Sequence, residues 1–555
     1  MIALLAAVSA VALAACGGGS STTGSATTSE SEGESEPAAE GEGKEGGTLK
    51  GAYTSFPDYM DPQISYTAEG WTAMRPVYVP LLTYKPAAEA EGSEIIPGLA
   101  KELPKVTNGG KTYTLFLRPG LKYSNGEPIK AGDFKYAVER CFLTNSGGSP
   151  FYTDIVGAEK FAETKKGGIS GIRIDEKTGE IVINLVNPRG TFNNELALMF
   201  VAPVPQSTPD EDQSASPPPA SGPYMITKSQ PGRGWTYERN PYWAKDNGKE
   251  IELPAGHVDK IEIEIQRNQS TQVNDVESGK LNWIFDPPPT DRYQEVKEKF
   301  EGTQFRPEPT ISTYYFWMNQ TEEPFNNLKV REAVNYAVDP AALERIYTGQ
   351  IVGTQQILPP GMPGYKKFEL FPHDLKKAKE LVAESGVKDK EVTVWTDSES
   401  PNNDAGTYYQ GVLNEIGLKA ELKILNPDNY FTVIGNTSTP NLDTGFADWF
   451  EDYPHPNDFM FLLNGNSIQS TNNQNFGQTD VKALNEKVEQ LSEELLGPQQ
   501  EKEYAELDEA FMKEAAWAPY GTRTLSLFVS ENINLESAIW NPTFETELTS
   551  LEFKE

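Results

Sequence analysis

From residue 48 onward the hydrophobic pattern switches repeatedly between a period of two and a period of 3.6. That alternation restricts the chain to a fold in which helices cover a sheet. Strand-like alternation runs through Tyr113–Leu117 and Val258–Ile265, and through Ile172–Ile174 and Ile181–Leu185 on either side of the turn Asp175–Glu180. Helical spacing takes over later. In NNLKVREAVNYAVDP, Val330, Ala333, Val334, Ala337 and Val338 form one apolar face, and Asp339-Pro340 reads as an N-cap and first-turn pair opening another helix. Further helices are expected at about 374–385, before Gly386, and at about 480–496, ending at Gly497-Pro498, with strands Glu391–Thr396 and Ala420–Leu425 between them. Residues after about 310 therefore read as an α/β layer of their own, and the first half as richer in strands and turns. The Pro-rich loop Thr208–Ala220 marks a crossing between sub-domains.

The segment before residue 48 cannot join that fold. Residues 2–15, IALLAAVSAVALAA, are apolar but too short for a bilayer span of about 20 residues, and read as a signal-peptide core. The run ends in Leu13-Ala14-Ala15-Cys16, which resembles a bacterial lipobox and implies a lipidated mature N-terminus at Cys16. No Lys or Arg precedes the run, a departure from a signal peptide that points to a start further upstream. Residues 17–47 contain only Gly, Ser, Thr, Glu, Ala, Pro and one Lys, a composition that buries no apolar surface and reads as a tether. Gly41-x-Gly43-x-x-Gly46 within it lacks the flanking strand and helix of a dinucleotide fingerprint. With Cys16 lipidated, Cys141 has no disulfide partner; it falls on the apolar face of DFKYAVERCFL and reads as core.

Charge and missing motifs narrow the function. Forty-eight basic against 81 acidic residues give a net charge of −33, which repels phosphate backbones and argues against nucleic acid as a partner. The three histidines, His257, His373 and His455, are far apart and form no HExxH, and there is no GxSxG elbow. Gly109-Gly110-Lys111-Thr112 lacks the earlier glycine of a phosphate-cradling loop and reads as a turn. No cofactor and no catalytic or metal-ligating set is expected. A pair of carboxylates acting as a glycosidase stays open, because 81 acids hide any such pair. Residues 449–459, WFEDYPHPNDF, gather aromatics, acids and a histidine between two prolines, a composition suited to catalysis, metal ligation or the holding of a ligand.

Several stretches resemble one family. LRPGLKYSNGEPIKAGDFKYAVER (117–140) resembles the signature of the solute-binding proteins of bacterial peptide ABC transporters, the oligopeptide- and dipeptide-binding family 5. ASGPY (220–224), RNPYW (239–243), MNQTEEPFNNLKVREAVNYAVD (318–339) and LPPGMPGY (358–365) match further landmarks in the same order. The resemblance implies an α/β, periplasmic-binding-protein-like type II fold of two lobes with an extra inserted sub-domain, the cluster C architecture. The implied division is signal peptide 1–15, lipidated cysteine and tether 16–46, lobe I in 47–82 and 205–310, inserted sub-domain 83–204, lobe II 311–518, and a return to lobe I in 519–555.

The resemblance also assigns residues. Asp452-Tyr-Pro-His-Pro456 matches a D-x-x-x-P motif whose aspartate takes a ligand's α-ammonium, so Asp452 is implied to do so here. Gly445–Glu451 is implied to be an extended segment pairing with the ligand backbone, which brings Phe450 and Glu451 to the ligand, with Trp449 flanking a side chain. Asp448 stands where the family has glycine, and an added acid there favours basic ligands. Phe285 and Asp286, in NWIFDPPP, are implied to reach the cleft from lobe I, and Tyr520 to lie where the chain recrosses the hinge. On the residues alone, His455 reads as a rigid-turn residue or a metal ligand, Asp458 as a cap of the following helix, and Trp449 as core or ligand contact.

The implied protein is a monomeric, non-enzymatic lipoprotein at the cell envelope, on the outer face of the cytoplasmic membrane or in the periplasm. It is anchored through Cys16 and delivers peptides to ABC permease subunits with their cytoplasmic ATPases. The alternatives are the same role with an oligosaccharide, nickel complex or other solute, a secreted carboxylate-dependent hydrolase, or an adhesin that lost the cleft.

Overall fold

The strand Trp517–Val529, buried along most of its length, joins two halves of one twelve-stranded sheet. Its first residues pair antiparallel with Ser312–Met318, and its last with Trp283–Ile284 and Phe305–Pro309. Beyond Trp283–Ile284 the sheet continues through Thr48–Tyr53, Lys260–Ile265, Gly234–Arg239 and Tyr224–Gln230. Beyond Ser312–Met318 it continues through Thr444–Phe450, Glu391–Asp397 and Lys419–Leu425. Parallel pairs occur on both sides, Thr48–Tyr53 with Lys260–Ile265 and Glu391–Asp397 with Lys419–Leu425. This is the mixed α/β architecture expected from the alternating periods.

A computed structural model describes residues 45–471 and 473–555, so the expected signal segment, Cys16 and the tether up to residue 44 lie outside the described residues. Two large cores flank the crossing strand. One is built mainly from residues between Leu49 and Trp283 and from Leu527 to Leu551, the other from Ile311 to Tyr520. A small third core around Val273, Tyr293 and Phe528 closes the junction. The crossing strand contributes to both cores, Trp517, Ala518 and Tyr520 to one and Leu527 and Val529 to the other.

A separate four-stranded antiparallel sheet, Lys105–Thr107, Thr112–Phe116, Glu180–Asn184 and Ile172–Asp175, carries the helix Ala131–Leu143. Phe134, Ala137, Val138, Cys141 and Phe142 of that helix are buried as their spacing predicts, and the Cys141 thiol donates to the Phe200 carbonyl at 3.3 Å. The signature stretch 117–140 is structural here. Asp133 accepts from the Lys130 N–H at 3.0 Å, the Tyr123 hydroxyl at 3.0 Å and the Gln206 amide at 2.9 Å. Arg140 is fully buried and forks onto both oxygens of Asp61.

Local signals placed most later elements within a residue or two. Helix Leu328–Ala337 presents its expected face inward, Asp339 caps Pro340–Ile346, and Gly386 ends Leu375–Ser385 in a left-handed conformation with φ 71°. One boundary differs. The helix expected at 480–496 spans Lys482–Ser492, and Gly497-Pro498 opens another helix, Pro498–Lys513, rather than closing the first. Proline suits a first turn because it lacks an N–H that would have no partner there, so a Gly-Pro pair marks a start as readily as a stop.

Candidate functional site

The strand Thr444–Phe450 leads into the site. One edge pairs with Ser312–Met318 along its whole length, from Met318↔Thr444 to Ser312↔Phe450. On the other edge Glu391–Asp397 accompanies it only at Val394↔Thr444 and Trp395↔Gly445. Gly445 is needed at that close approach, since a Cβ there would stand 2.5 Å from the Trp395 carbonyl oxygen. From Phe446 to Phe450 the second edge has no strand partner among the described residues. An unpaired edge is a ready template for an added strand.

After Phe450 the chain turns sharply, and a buried carboxylate holds the turn. Asp458 accepts from the Trp449 indole N–H at 3.1 Å and from the Asp452 backbone N–H at 3.0 Å. It lies inside the short helix Asn457–Met460, where two donors of the preceding turn reach it, so it does not serve as the cap expected of it. His455 is fully buried; its Nδ1 accepts from the Asn457 N–H at 3.1 Å, and burial pushes its pKa down to about 3. It packs against the Tyr504 ring at 5.6 Å as a neutral turn residue. Among the described residues no group of three or more His, Cys, Asp or Glu could hold a metal ion.

Asp452 is met from the opposite side of the cleft. The Tyr66 hydroxyl donates to its Oδ1 at 2.9 Å, linking residues 386 positions apart. Tyr66 is set by its own surroundings. Asp58 accepts from the Tyr66 N–H at 2.7 Å, Thr67 caps the helix Ala68–Met74, and the ring stacks on Trp71 at 5.8 Å. A cavity of about 140 Å³ lies between these elements, lined by Tyr66, Thr67, Ala68 and Trp71 on one side, Phe450, Glu451 and Asp452 on the other, and Thr310, Pro542, Thr543 and Glu545 around the rim.

The cavity is acidic and offers no side-chain cation. Burial raises the Asp452 carboxyl to about 6, against the opposing effect of the Tyr66 hydrogen bond. Burial, reinforced by the charges of Glu69 and Asp286, raises Glu545 to about 8. Burial likewise pushes Glu451 well above the ordinary carboxylate range, with Asp458 and Asp452 adding to it. None of the lining residues is Lys, Arg or His. Such a site is neutralised by protonation, which the raised pKa values favour, or by a cation that enters.

Burial of these carboxyls also makes the stability of the ligand-free protein depend on pH. A carboxyl with a raised folded-state pKa is ionised in the unfolded chain before it is ionised in the folded one, so stability is lost as pH rises towards the folded value. Glu545 (about 8), Asp508 (about 7), and Asp452 and Asp448 (about 6 each) all act in this direction. His455 opposes them only below its unfolded value of 6.5. The ligand-free thermal midpoint is expected to rise by about 2–5 °C from pH 8.5 to 6.5, and Glu545→Gln to flatten the rise. A midpoint that is level or falls over that interval in scanning calorimetry would sink the assignment.

Asp452, Glu451 and Phe450 line the cavity, and the other expected residues lie outside its lining. Trp449 is half-buried against the second core, edge-on to Phe461 at 5.8 Å. Asp448 sits opposite Tyr314 in the register, where burial and the charge of Asp397 raise it while the Tyr314 hydrogen bond and Arg523 oppose. Asp286 accepts from the Thr54 N–H at 2.7 Å and the Thr54 hydroxyl at 2.8 Å, and Phe285 stacks on Tyr53 at 4.5 Å. Tyr520 is fully buried in the second core, stacked on Phe316 at 4.7 Å, its hydroxyl 3.1 Å from that of Tyr347. Tyr66, Trp71, Thr310 and Glu545 were not expected. Their stretches carry only capping and turn signals, and nothing local marks them as cleft residues.

Comparison with known proteins follows the same lines. The family described as bacterial extracellular solute-binding proteins, family 5 Middle, matches residues 94–471. The oligopeptide-binding protein OppA of Bacillus subtilis (strain 168) is 27% identical over 310 residues, which is 53% of this chain and 54% of the relative. The dipeptide-binding protein of Escherichia coli (strain K12) is 25% identical over 356 residues, 60% of this chain and 62% of the relative. The chain thus spans less than two thirds of the length of these curated relatives. Among solved structures, the clavulanic acid biosynthesis oligopeptide binding protein 2 superposes with a TM-score of 0.84 at 22% identity, covering 92% of this chain and 96% of the other.

Proposed function

The chain belongs to the bacterial extracellular solute-binding proteins of family 5 and has their two-lobed type II fold, and on that premise we propose that it captures peptides between its lobes and delivers them to an ABC importer. The observation that carries the reading is Asp452, a carboxylate in the cleft whose side chain is met, among the described residues, by the Tyr66 hydroxyl alone, in a cavity lined by no basic side chain. A peptide's α-ammonium supplies the missing charge. Its backbone finds donors and acceptors along the edge of Ala447–Phe450, beyond Phe446, whose carbonyl already accepts from the Tyr430 hydroxyl at 2.6 Å and the Trp317 indole N–H at 3.2 Å. Edge pairing of this kind is indifferent to side chains, which suits a receptor for many peptides.

The lobes of this reading are 47–82 with 205–310 and 519–555, and 311–518, with 83–204 inserted; the two separate hydrophobic cores support that division. Trp517–Val529 serves as the hinge, because it pairs with strands of both halves. Closure of the lobes presents the permease with a shape that signals a loaded receptor. The reading requires no covalent step. Cys16 carries the lipid anchor and holds the body at the outer face of the cytoplasmic membrane, which agrees with a family of extracellular proteins. The names of the OppA and dipeptide-binding relatives support a peptide ligand.

Mass spectrometry of small molecules released when purified protein lacking the tether is denatured tests this directly. A ladder of short peptides is expected. A single sugar or metal complex would overturn the peptide assignment, and steady product formation from a glycoside panel would replace the transport role with hydrolysis.

A further inference from the structure

Resting on the peptide reading, we propose that the preferred ligand carries a second positive charge beside its terminal amine, taken by Glu545 with Glu451, so that peptides beginning with lysine or arginine are favoured.

One amine leaves the cavity unbalanced. Asp452 has the Tyr66 hydroxyl and the proposed α-ammonium, whereas Glu545 lines the same cavity, is only 9% exposed, and makes no side-chain hydrogen bond or ion pair among the described residues. The charged groups acting on Glu545 are Glu69 and Asp286, both acids. Buried polar groups are nearly always partnered, and each exception calls for an explanation such as an absent ligand. Glu451 repeats the pattern, for its Oε1 is buried with no hydrogen-bond partner, and its charged neighbours are Asp458, Asp452 and Glu545.

The backbone fixes Glu545 where it is unsatisfied. It follows the tight turn after Trp540–Asn541, in which the Asn541 side chain accepts from the Thr543 N–H at 3.0 Å and the Phe544 N–H at 3.1 Å. The Thr72 hydroxyl pins that turn to the helix Ala68–Met74 by donating to the Phe544 carbonyl at 2.9 Å. Glu545 itself has φ 55°, a left-handed conformation that is unfavourable for a non-glycine residue. A glycine or asparagine would suit that backbone better, and strain held at an unpaired buried carboxylate points to function.

The test compares four compounds by calorimetry at pH 7.5: Lys-Ala-Ala, norleucine-Ala-Ala, 1,5-diaminopentane and pentylamine. Lys-Ala-Ala is expected to bind at least about tenfold more tightly than norleucine-Ala-Ala. Glu545→Gln is expected to cut that ratio below about threefold, and Glu451→Gln reads the same ratio independently of the strained position. Equal binding of the two peptides to the unaltered protein, or a ratio kept in both variants, would overturn this inference and leave the peptide reading intact. Tighter binding of the diamine than of pentylamine, with neither peptide bound, would uphold the dicationic site and overturn the peptide reading. Binding of none of the four would overturn both.

Discussion

Asp452→Asn is expected to weaken binding of a peptide with a free amino terminus by about 100- to 4,000-fold, the ~3–5 kcal/mol scale of a buried charge deprived of its partner. The loss arises because the ammonium, once the lobes close, is cut off from water and asparagine offers it only a dipole. Stability should stay level or rise. Asparagine keeps an acceptor for the Tyr66 hydroxyl and removes a carboxyl that burial holds at about 6. N-acetylation of the peptide should cost the unaltered protein a comparable factor and cost the variant almost nothing, because both changes delete the same pair. Unchanged calorimetric affinity in the variant would refute the role given to Asp452.

Asp61→Ala is expected to be the most damaging substitution for the fold itself, lowering stability by about 3–5 kcal/mol. Its carboxylate receives both terminal nitrogens of the fully buried Arg140, at 2.6 and 2.7 Å, and the Gln213 N–H at 3.1 Å. Arg140 also donates to the Pro209 and Glu211 carbonyls at 2.9 and 2.8 Å, so the pair ties the helix Ala131–Leu143 to the Pro-rich loop and to the segment leading to Tyr66. Alanine would leave the guanidinium buried with carbonyl and amide acceptors but no counter-charge. Urea unfolding followed by tryptophan fluorescence measures the loss, and the double variant Asp61→Leu with Arg140→Met should recover part of it. A midpoint within error of the unaltered protein would show that water reaches Arg140 and that the pair is not buried in solution.

Both outcomes bear on what could be read before the structure. Asp452 was assigned to the ligand by the resemblance to a D-x-x-x-P motif, a local pattern, and it lies in the lining of the cavity. Its partner Tyr66 was not, because SYTAEGW carries an N-cap signal and nothing that marks a hydroxyl destined for a carboxylate 386 residues away. Asp448 and Trp449 were expected beside the ligand from the same motif. The pairing of Thr444–Phe450 with Ser312–Met318 sets which residues of that strand face the core, and it turns Asp448 towards Tyr314 while Trp449 leans on Phe461. Asp458 was assigned to a helix cap by its position alone, whereas two donors of the turn before it compete for the same oxygen.

What the sequence by itself determined is whatever a residue and its near neighbours settle: the alternation of strands and helices, the caps at Asp339 and Gly386, the apolar face that buries Cys141, and an acidic aromatic turn around a proline-flanked histidine. Tertiary structure alone decided that a strand near the C-terminus runs through the middle of the sheet, and that Tyr66, Glu451, Asp452 and Glu545 share one cavity. The physical reason is the range of the forces involved. Propensity and capping act over a few residues, but register and burial are set by which surfaces exclude water together. An unpaired carboxylate can be recognised only once that water is gone.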